Sequence, residues 1–330
     1  MGRAARRPGL TTEGDSRRPV IAVVGPTASG KSALALDLAR ELGGAVINFD
    51  SMQLYRELRI LTARPSPEDE AAVPHRLYGV IPAAEACSAA RWRDLALEEL
   101  ARADDAGRLP ILTGGTGLYL RALIEGLSPV PDVPRAVREE TRRRFAALGD
   151  VAFHAELAAS DPVMGARLNP GDKQRLIRAA EVLTATGRSL AEWQSVGGER
   201  ASEESLAFYT VVLLPPRAMT RSRIAERFAS MLAAGALEEV RRLSALDLSP
   251  DLPAMKAHGV PELTRHLAGE LSLEEAAQQA ILVTGQYAKR QVTWLRHQVK
   301  KDYVVDQQYS PMFTPVIVNK IRQFLLTLQG

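Results

Sequence analysis

Gly25, Gly30, Lys31 and Ser32 stand at the spacing G-x-x-x-x-G-K-S within Gly25-Pro26-Thr27-Ala28-Ser29-Gly30-Lys31-Ser32. A loop of this pattern curls its backbone N–H groups around an oxyanion, brings an ammonium over it and leaves a hydroxyl for Mg2+. Gly25, Thr27, Ala28, Ser29, Gly30, Lys31 and Ser32 are therefore the predicted phosphate-binding residues, with Ser32 as the metal ligand. Two further chemical groups follow: the carboxylate of Asp50, and a second glycine turn at Gly114-Gly115-Thr116-Gly117. The loop by itself does not distinguish ATP, GTP or an organic diphosphate.

The elements that must hold these groups are short apolar runs alternating with helical periodicity. Ile21–Val24 reads as a strand feeding the loop, and Leu34, Leu36, Leu38 and Ala39 mark a helix after it, whose N-terminal dipole adds to the anion site. Residues 45–49 form a second strand ending at Asp50, 110–113 a third ending in the glycine turn, and 209–214 a fourth. In a parallel α/β sheet the carboxyl ends of strands line the ligand crevice, so Asp50 and Gly114–Gly117 are expected beside the phosphate loop. The fold class is α/β, a P-loop nucleoside-triphosphate-hydrolase-like parallel sheet with helices on both faces. Between the third and fourth strands, Pro129-Val130-Pro131-Asp132-Val133-Pro134 acts as a hinge, and residues 135–205 are helical in period, with turns at Gly165, Pro170-Gly171 and Gly197-Gly198. The organisation predicted is a leader at 1–19, a core at 20–130 and 206–330, and a helical insertion domain at 131–205.

Composition narrows the class. The 330 residues carry a net charge of +3, with 46% hydrophobic and 25% charged residues, as in a globular protein with a sizeable core. A single cysteine, Cys87, excludes an internal disulfide and a multi-cysteine zinc site and favours a reducing cytoplasm. No apolar run approaches the roughly 20 residues that cross a bilayer. Residues 1–19, with Arg3, Arg6, Arg7, Arg17 and Arg18, read as a disordered basic leader.

Cationic residues cluster in two places. Between Gly285 and Lys301 stand Lys289, Arg290, Arg296, Lys300 and Lys301 with no acid, and helical phase puts Arg290, Trp294, His297 and Lys301 on one face. Lys173-Gln174-Arg175-Leu176-Ile177-Arg178 lies in the insertion, preceded by Arg135, Arg138, Arg142, Arg143 and Arg144. Phosphate backbones attract such surfaces. The strand that would carry a Walker B acid ends instead in Leu112-Thr113-Gly114, which weighs against an ordinary ATPase.

Taken in order, Gly25–Ser32, Asp50-Ser51-Met52-Gln53-Leu54-Tyr55, Thr62-Ala63-Arg64-Pro65, Pro74-His75, Gly114-Gly115-Thr116 with Leu118-Tyr119, and Ala288-Lys289-Arg290-Gln291 with Thr293-Trp294 resemble the bacterial-type tRNA dimethylallyltransferases over about residues 20–300. The resemblance implies transfer of a dimethylallyl group from dimethylallyl diphosphate to N6 of adenosine 37 in tRNAs that read codons beginning with U. It implies Asp50 as the base, Thr27 and Arg223 as residues that contact the diphosphate or orient the reactants, and Mg2+ as cofactor. It also implies that Asp50, Ser51, Met52, Gln53, Thr116, Gln174, Arg175, Arg178, Lys289, Arg290, Gln291, Trp294 and Arg296 contact the tRNA anticodon stem loop, joined by Arg138 from the basic cluster. The expected protein is a cytoplasmic monomer. The chain departs from the family pattern at Leu61 and Arg64, where Gly and Lys are usual, at Gly285, where Arg is frequent, and at Val260-Pro261, where Tyr and a basic residue follow the glycine. His258 precedes that last departure and is the histidine to test. Two other readings use the same loop: a small-molecule kinase, with Asp50 deprotonating a hydroxyl, and an adenylate dimethylallyltransferase acting on free AMP. A noncatalytic RNA-binding protein would need neither Lys31 nor Asp50.

Overall fold

The computed structural model describes residues 17–196 and 206–329. Arg3, Arg6, Arg7 and most of the basic leader, with the Gly197-Gly198 turn, lie outside the described residues. The elements run β1 (Arg18–Val24), α1 (Lys31–Leu42), β2 (Gly44–Asn48), α2 (Pro67–Ala72), β3 (His75–Arg76), α3 (Ala89–Asp105), β4 (Leu109–Gly114), α4 (Gly117–Ile124), α5 (Arg135–Ser160), α6 (Pro162–Arg167), α7 (Lys173–Thr186) and α8 (Leu190–Ser195). After them come β5 (Leu206–Leu213), α9 (Arg217–Ala233), α10 (Ala236–Ser244), α11 (Val260–Leu267), α12 (Leu273–Gln298), β6 (Tyr303–Val305) and α13 (Thr314–Thr327).

The expected parallel α/β sheet is present, with strand order β3-β2-β4-β1-β5-β6 and every pair parallel. Ile21, Val23, Ile111, Val211 and Leu213 are fully buried, as continuous β-type runs covered by helices should be. Helices α1 and α13 supply Leu34, Leu38, Ile317 and Ile321 to the same core. The register explains the site. Val24 lies opposite Gly114 and Val212, and Asn48 opposite Thr113, so the chain leaves β1, β2 and β4 at adjacent points on one sheet edge. That approach is close enough to require glycine at 114, where a Cβ would meet the Phe49 carbonyl carbon at 2.5 Å.

Over the described residues the chain divides into two compact units, one of residues 17–123 and 206–329 and the other of residues 124–196. The helical unit has its own core of Phe145, Phe153, Leu157, Met164, Leu176 and Ala179. Its helix α5 is broken at Gly149, whose φ of 74° places the backbone outside helical space.

One expectation is corrected. Helix α12 opens with a Ser272–Glu275 capping box and ends at Gln298, where Val299 turns extended at φ −121° and ψ 128°. Lys300 and Lys301 therefore lie beyond the helix and do not extend its cationic face. Lys300 pairs with Asp302 at 3.2 Å, and Lys301 donates to the Arg296 carbonyl at 2.8 Å.

Candidate active site

The phosphate loop is built from two left-handed residues, Ala28 at φ 63° and Gly30 at φ 90°, after which α1 starts with no side-chain cap. Uncapped N–H groups at a helix start form an anion site. The loop's outer surface is fixed by side chains from distant elements. Thr27 N–H donates to Gln291 Oε1 at 2.8 Å, and the Arg227 guanidinium donates to Thr27 Oγ1 at 2.9 Å. Lys31 Nζ reaches back only to the Pro26 carbonyl, at 3.5 Å. Burial lowers its pKa to about 8, with the Asp50 carboxylate working against that shift and Arg227 adding to it. Burial also lowers the pKa of Arg227, again opposed by Asp50.

Asp50 sits in a turn held by the fully buried Asn48. Asn48 Oδ1 accepts from Asp50 N–H at 2.7 Å, and Asn48 Nδ2 donates to the carbonyls of Asp50 and Leu77 at 3.0 and 2.9 Å. Met52 N–H donates to Asp50 Oδ1 at 3.1 Å, while Oδ2 faces Gly115, 3.6 Å from where a Cβ would stand. The neighbouring turn is tied in through Thr116, whose Oγ1 accepts from Ser51 N–H at 2.9 Å and donates to Ser51 Oγ at 3.2 Å. Thr27, Ala28, Gly30, Lys31, Ser32, Asp50, Gln53, Arg223, Arg227 and Gln308 line one cavity of about 450 Å³. Phosphate donors, an ammonium, a guanidinium and a carboxylate thus converge on a single space. Among the described residues there is no cluster of three or more His, Cys, Asp or Glu that could hold a metal. Ser32 is exposed at the cavity mouth.

Arg223 and Arg227 both line the cavity, one helical turn apart on α9, but they differ. Arg223 is exposed and paired with Glu226 at 3.2 Å. Arg227 is half-buried against the loop. Of the residues on α12, Gln291 is 6% exposed and bridges both glycine turns, with Oε1 on Thr27 N–H and Nε2 donating to the Gly115 carbonyl at 3.0 Å. The Trp294 indole lies against Gly117. Lys289, Arg290 and Arg296 are exposed, and Arg290 sits over the Tyr287 ring at 5.7 Å. Gln53 is also turned inward, its Nε2 donating to the carbonyls of Thr62 and Ala63 at 2.8 and 3.0 Å. His258 packs its ring on Tyr287 at 5.0 Å, and burial lowers its pKa. Leu61, a departure from the family pattern, fills the space over Gly259. In the helical unit, Arg138, Gln174 and Arg175 are exposed, and Arg178 pairs with the buried Glu181 at 3.7 Å.

Asn48, Arg227, Tyr287 and Gln308 were not singled out from the sequence. Arg227 stands four residues after Arg223, a helical spacing that puts both on one face, and that phase was the available signal. Asn48 is the last residue of β2, next to the predicted acid. Gln308 carries no local signal.

A family model described as IPP transferase matches residues 53–298. A tRNA dimethylallyltransferase of Rhodospirillum centenum is 60% identical over 282 residues, covering 86% of this chain and 90% of that protein. A solved structure of a full-length tRNA isopentenylpyrophosphate transferase from Bacillus halodurans superposes with a TM-score of 0.66 at 31% identity, covering 95% of this chain and 97% of that one. A eukaryotic dimethylallyltransferase acting on tRNA gives a TM-score of 0.77 at 25% identity, over 93% of this chain and 79% of its own.

Proposed function

The chain belongs to the IPP transferase family, and on that premise we propose that it moves a dimethylallyl group from dimethylallyl diphosphate to N6 of adenosine 37 in tRNAs that read codons beginning with U. The observation that carries the reading is the convergence of Asp50 with the phosphate loop in one cavity, at the edge where β1, β2 and β4 end. The relatives' names favour this reading over a small-molecule kinase or an enzyme acting on free AMP.

In the reaction the N6–carbon bond forms as the allylic carbon–oxygen bond breaks, and diphosphate departs. Negative charge develops on the leaving oxygens, where preorganised donors are most effective. The free N–H groups at the start of α1, Lys31 and Arg227 supply those donors. Thr27, bonded to Arg227 and Gln291, fixes that side of the loop. Adenine N6 is a weak nucleophile because its lone pair is delocalised into the ring, so a carboxylate that accepts its proton in the transition state lowers the barrier. Asp50 takes that role, oriented by Asn48 and the Met52 N–H.

The site fits Mg2+ held through the substrate. Ser32 offers a hydroxyl at the cavity mouth, and Mg2+ commonly binds one or two protein oxygens together with phosphate oxygens and water. Bound there, the ion would neutralise charge on the diphosphate. The exposed Lys289, Arg290 and Arg296, and in the helical unit Arg138, Gln174 and Arg175, are the surfaces proposed to meet the tRNA. No helix among the described residues is long and apolar enough to cross a membrane. That the enzyme works as a cytoplasmic monomer is part of the proposal.

The test is to incubate the protein with dimethylallyl diphosphate, Mg2+ and tRNA, then weigh the tRNA nucleosides by mass spectrometry. Addition of one five-carbon unit to adenosine is the expected result; unmodified adenosine would overturn the proposal.

A further inference from the structure

The segment between β6 and α13 lies outside the stretch matched by the family model, yet it closes over the phosphate loop. Gln308 lines the cavity with Ala28, Gly30, Lys31 and Ser32, and its Nε2 donates to the Ala28 carbonyl at 3.3 Å. Its Oε1 is buried with no partner in the protein. The next residue anchors the segment: Tyr309 Oη donates to Asp37 Oδ2 on α1 at 2.5 Å and lies 2.6 Å from Thr314 Oγ1 at the start of α13. Tyr309 also packs against Gly30, where a Cβ would meet its own Cβ at 2.7 Å.

These contacts bear on the most strained part of the loop. Ala28 is a non-glycine residue at φ 63°, a conformation that L side chains rarely adopt and that persists only where surroundings enforce it. Here the Ala28–Ser29 peptide is held at both ends, its carbonyl by Gln308 and its N–H by the Pro26 carbonyl at 3.2 Å. With that peptide held by Gln308 and Pro26 and Thr27 N–H held by Gln291, the loop is fixed beside a cavity that Gly30, Lys31 and Ser32 also line.

We infer that Gln308 is a positioning residue for the diphosphate: it holds the Ala28–Ser29 peptide so that the loop is preformed for the donor substrate. This rests on the donor reading of the cavity given above. The amide N–H is the part that matters. A glutamate at this position cannot donate to the Ala28 carbonyl when ionised and places a negative charge beside the diphosphate, whereas a lysine keeps a donor.

The test measures steady-state constants for dimethylallyl diphosphate and for tRNA, together with calorimetric affinity for inorganic diphosphate, on the full chain and on Gln308→Ala, Gln308→Glu and Gln308→Lys. Loss of one positioning hydrogen bond predicts a donor KM raised about 5- to 20-fold in Gln308→Ala, more in Gln308→Glu and least in Gln308→Lys, with the tRNA KM within about twofold throughout. Diphosphate affinity should fall in the same order. Donor constants within about twofold of wild type in both Gln308→Ala and Gln308→Glu would overturn the inference. So would a parallel loss for donor and tRNA with a lowered Tm, which marks a role in folding alone. Wild-type protein that binds neither dimethylallyl diphosphate nor inorganic diphosphate would overturn the donor reading itself, a failure distinct from variants that match an active wild type.

Discussion

The rim of the sheet and helix α7 of the helical unit both carry polar residues suited to phosphate, but they are built in opposite ways. At the rim the polar groups beside the loop are tied to one another: Thr27 to Gln291 and Arg227, Ser51 to Thr116, Asp50 to Asn48 and Met52. On α7, Leu176, Ala179 and Val182 face inward, while Lys173, Gln174 and Arg175 are exposed. A prebuilt network can stabilise charge that appears only in the transition state, because its dipoles need not reorganise. An exposed cationic surface contributes affinity that is sequence-tolerant and sensitive to salt. Rim substitutions should therefore change turnover or donor binding, and substitutions of exposed cations should change tRNA affinity alone.

The largest effect is expected from Asp50→Ala. Removing a general base should lower single-turnover rate by about 10²- to 10⁴-fold while tRNA affinity, read by filter binding, stays nearly constant. Activity surviving within about tenfold would move Asp50 out of the chemistry. Next is Lys31→Ala, in which loss of a charge-assisted contact should weaken donor binding by about 10- to 100-fold in calorimetry, again with tRNA binding intact.

Lys31 also gives the comparison a pH signature. Its pKa is lowered from 10.5 to about 8, so in the free protein the ammonium is present below that value and lost as pH rises through it. Donor affinity should fall above pH of about 8 and stay level there in Lys31→Arg, whose guanidinium keeps its charge. A titration in which wild type and Lys31→Arg run parallel would break this assignment.

Gln291→Ala sharpens the contrast within one helix. It leaves Thr27 N–H without its partner, so donor KM should rise by about fivefold to tenfold and Tm should fall. Lys289→Ala with Arg290→Ala, the two residues just before Gln291 and both exposed, should weaken tRNA binding and lower the slope of log affinity against log salt by roughly 1 to 2, leaving donor KM unchanged. The smallest effect belongs to Arg175→Ala on α7, about twofold to threefold in tRNA affinity at low salt.

Much of this site was readable before the fold was known, because its signals are local. A glycine turn at the end of an apolar run needs only neighbouring residues to be recognised, and two such strand ends, at Val24 and Gly114, meet the end of β2 at Asn48 through sheet register. What was hidden acts over long separations or without a stop signal. Gln291 and Gln308 reach the loop from 264 and 280 residues away, and nothing in their neighbours marks them as its partners. The family resemblance implies Gln291 as an RNA contact, and its amide also bonds Thr27 N–H and the Gly115 carbonyl. The end of α12 carries neither glycine nor proline; the chain simply extends at the β-branched Val299, which is why Lys301 reads as helical. β3 has two residues, too few for any alternation to register. Arg223 and Arg227 both line the cavity, and that Arg227 also holds Thr27 Oγ1 is a contact that helical phase does not provide.

In the proposed reaction the loop at Gly25–Ser32 clamps the leaving diphosphate during carbon transfer. Counting the products tests it most directly: tRNA, dimethylallyl diphosphate and Mg2+ are supplied with and without ATP, and released inorganic diphosphate is measured beside modified adenosine. One diphosphate is expected for each prenylated adenosine, with no requirement for ATP and no ADP formed. ADP released in step with turnover, or prenylation that depends on ATP hydrolysis, would contradict it.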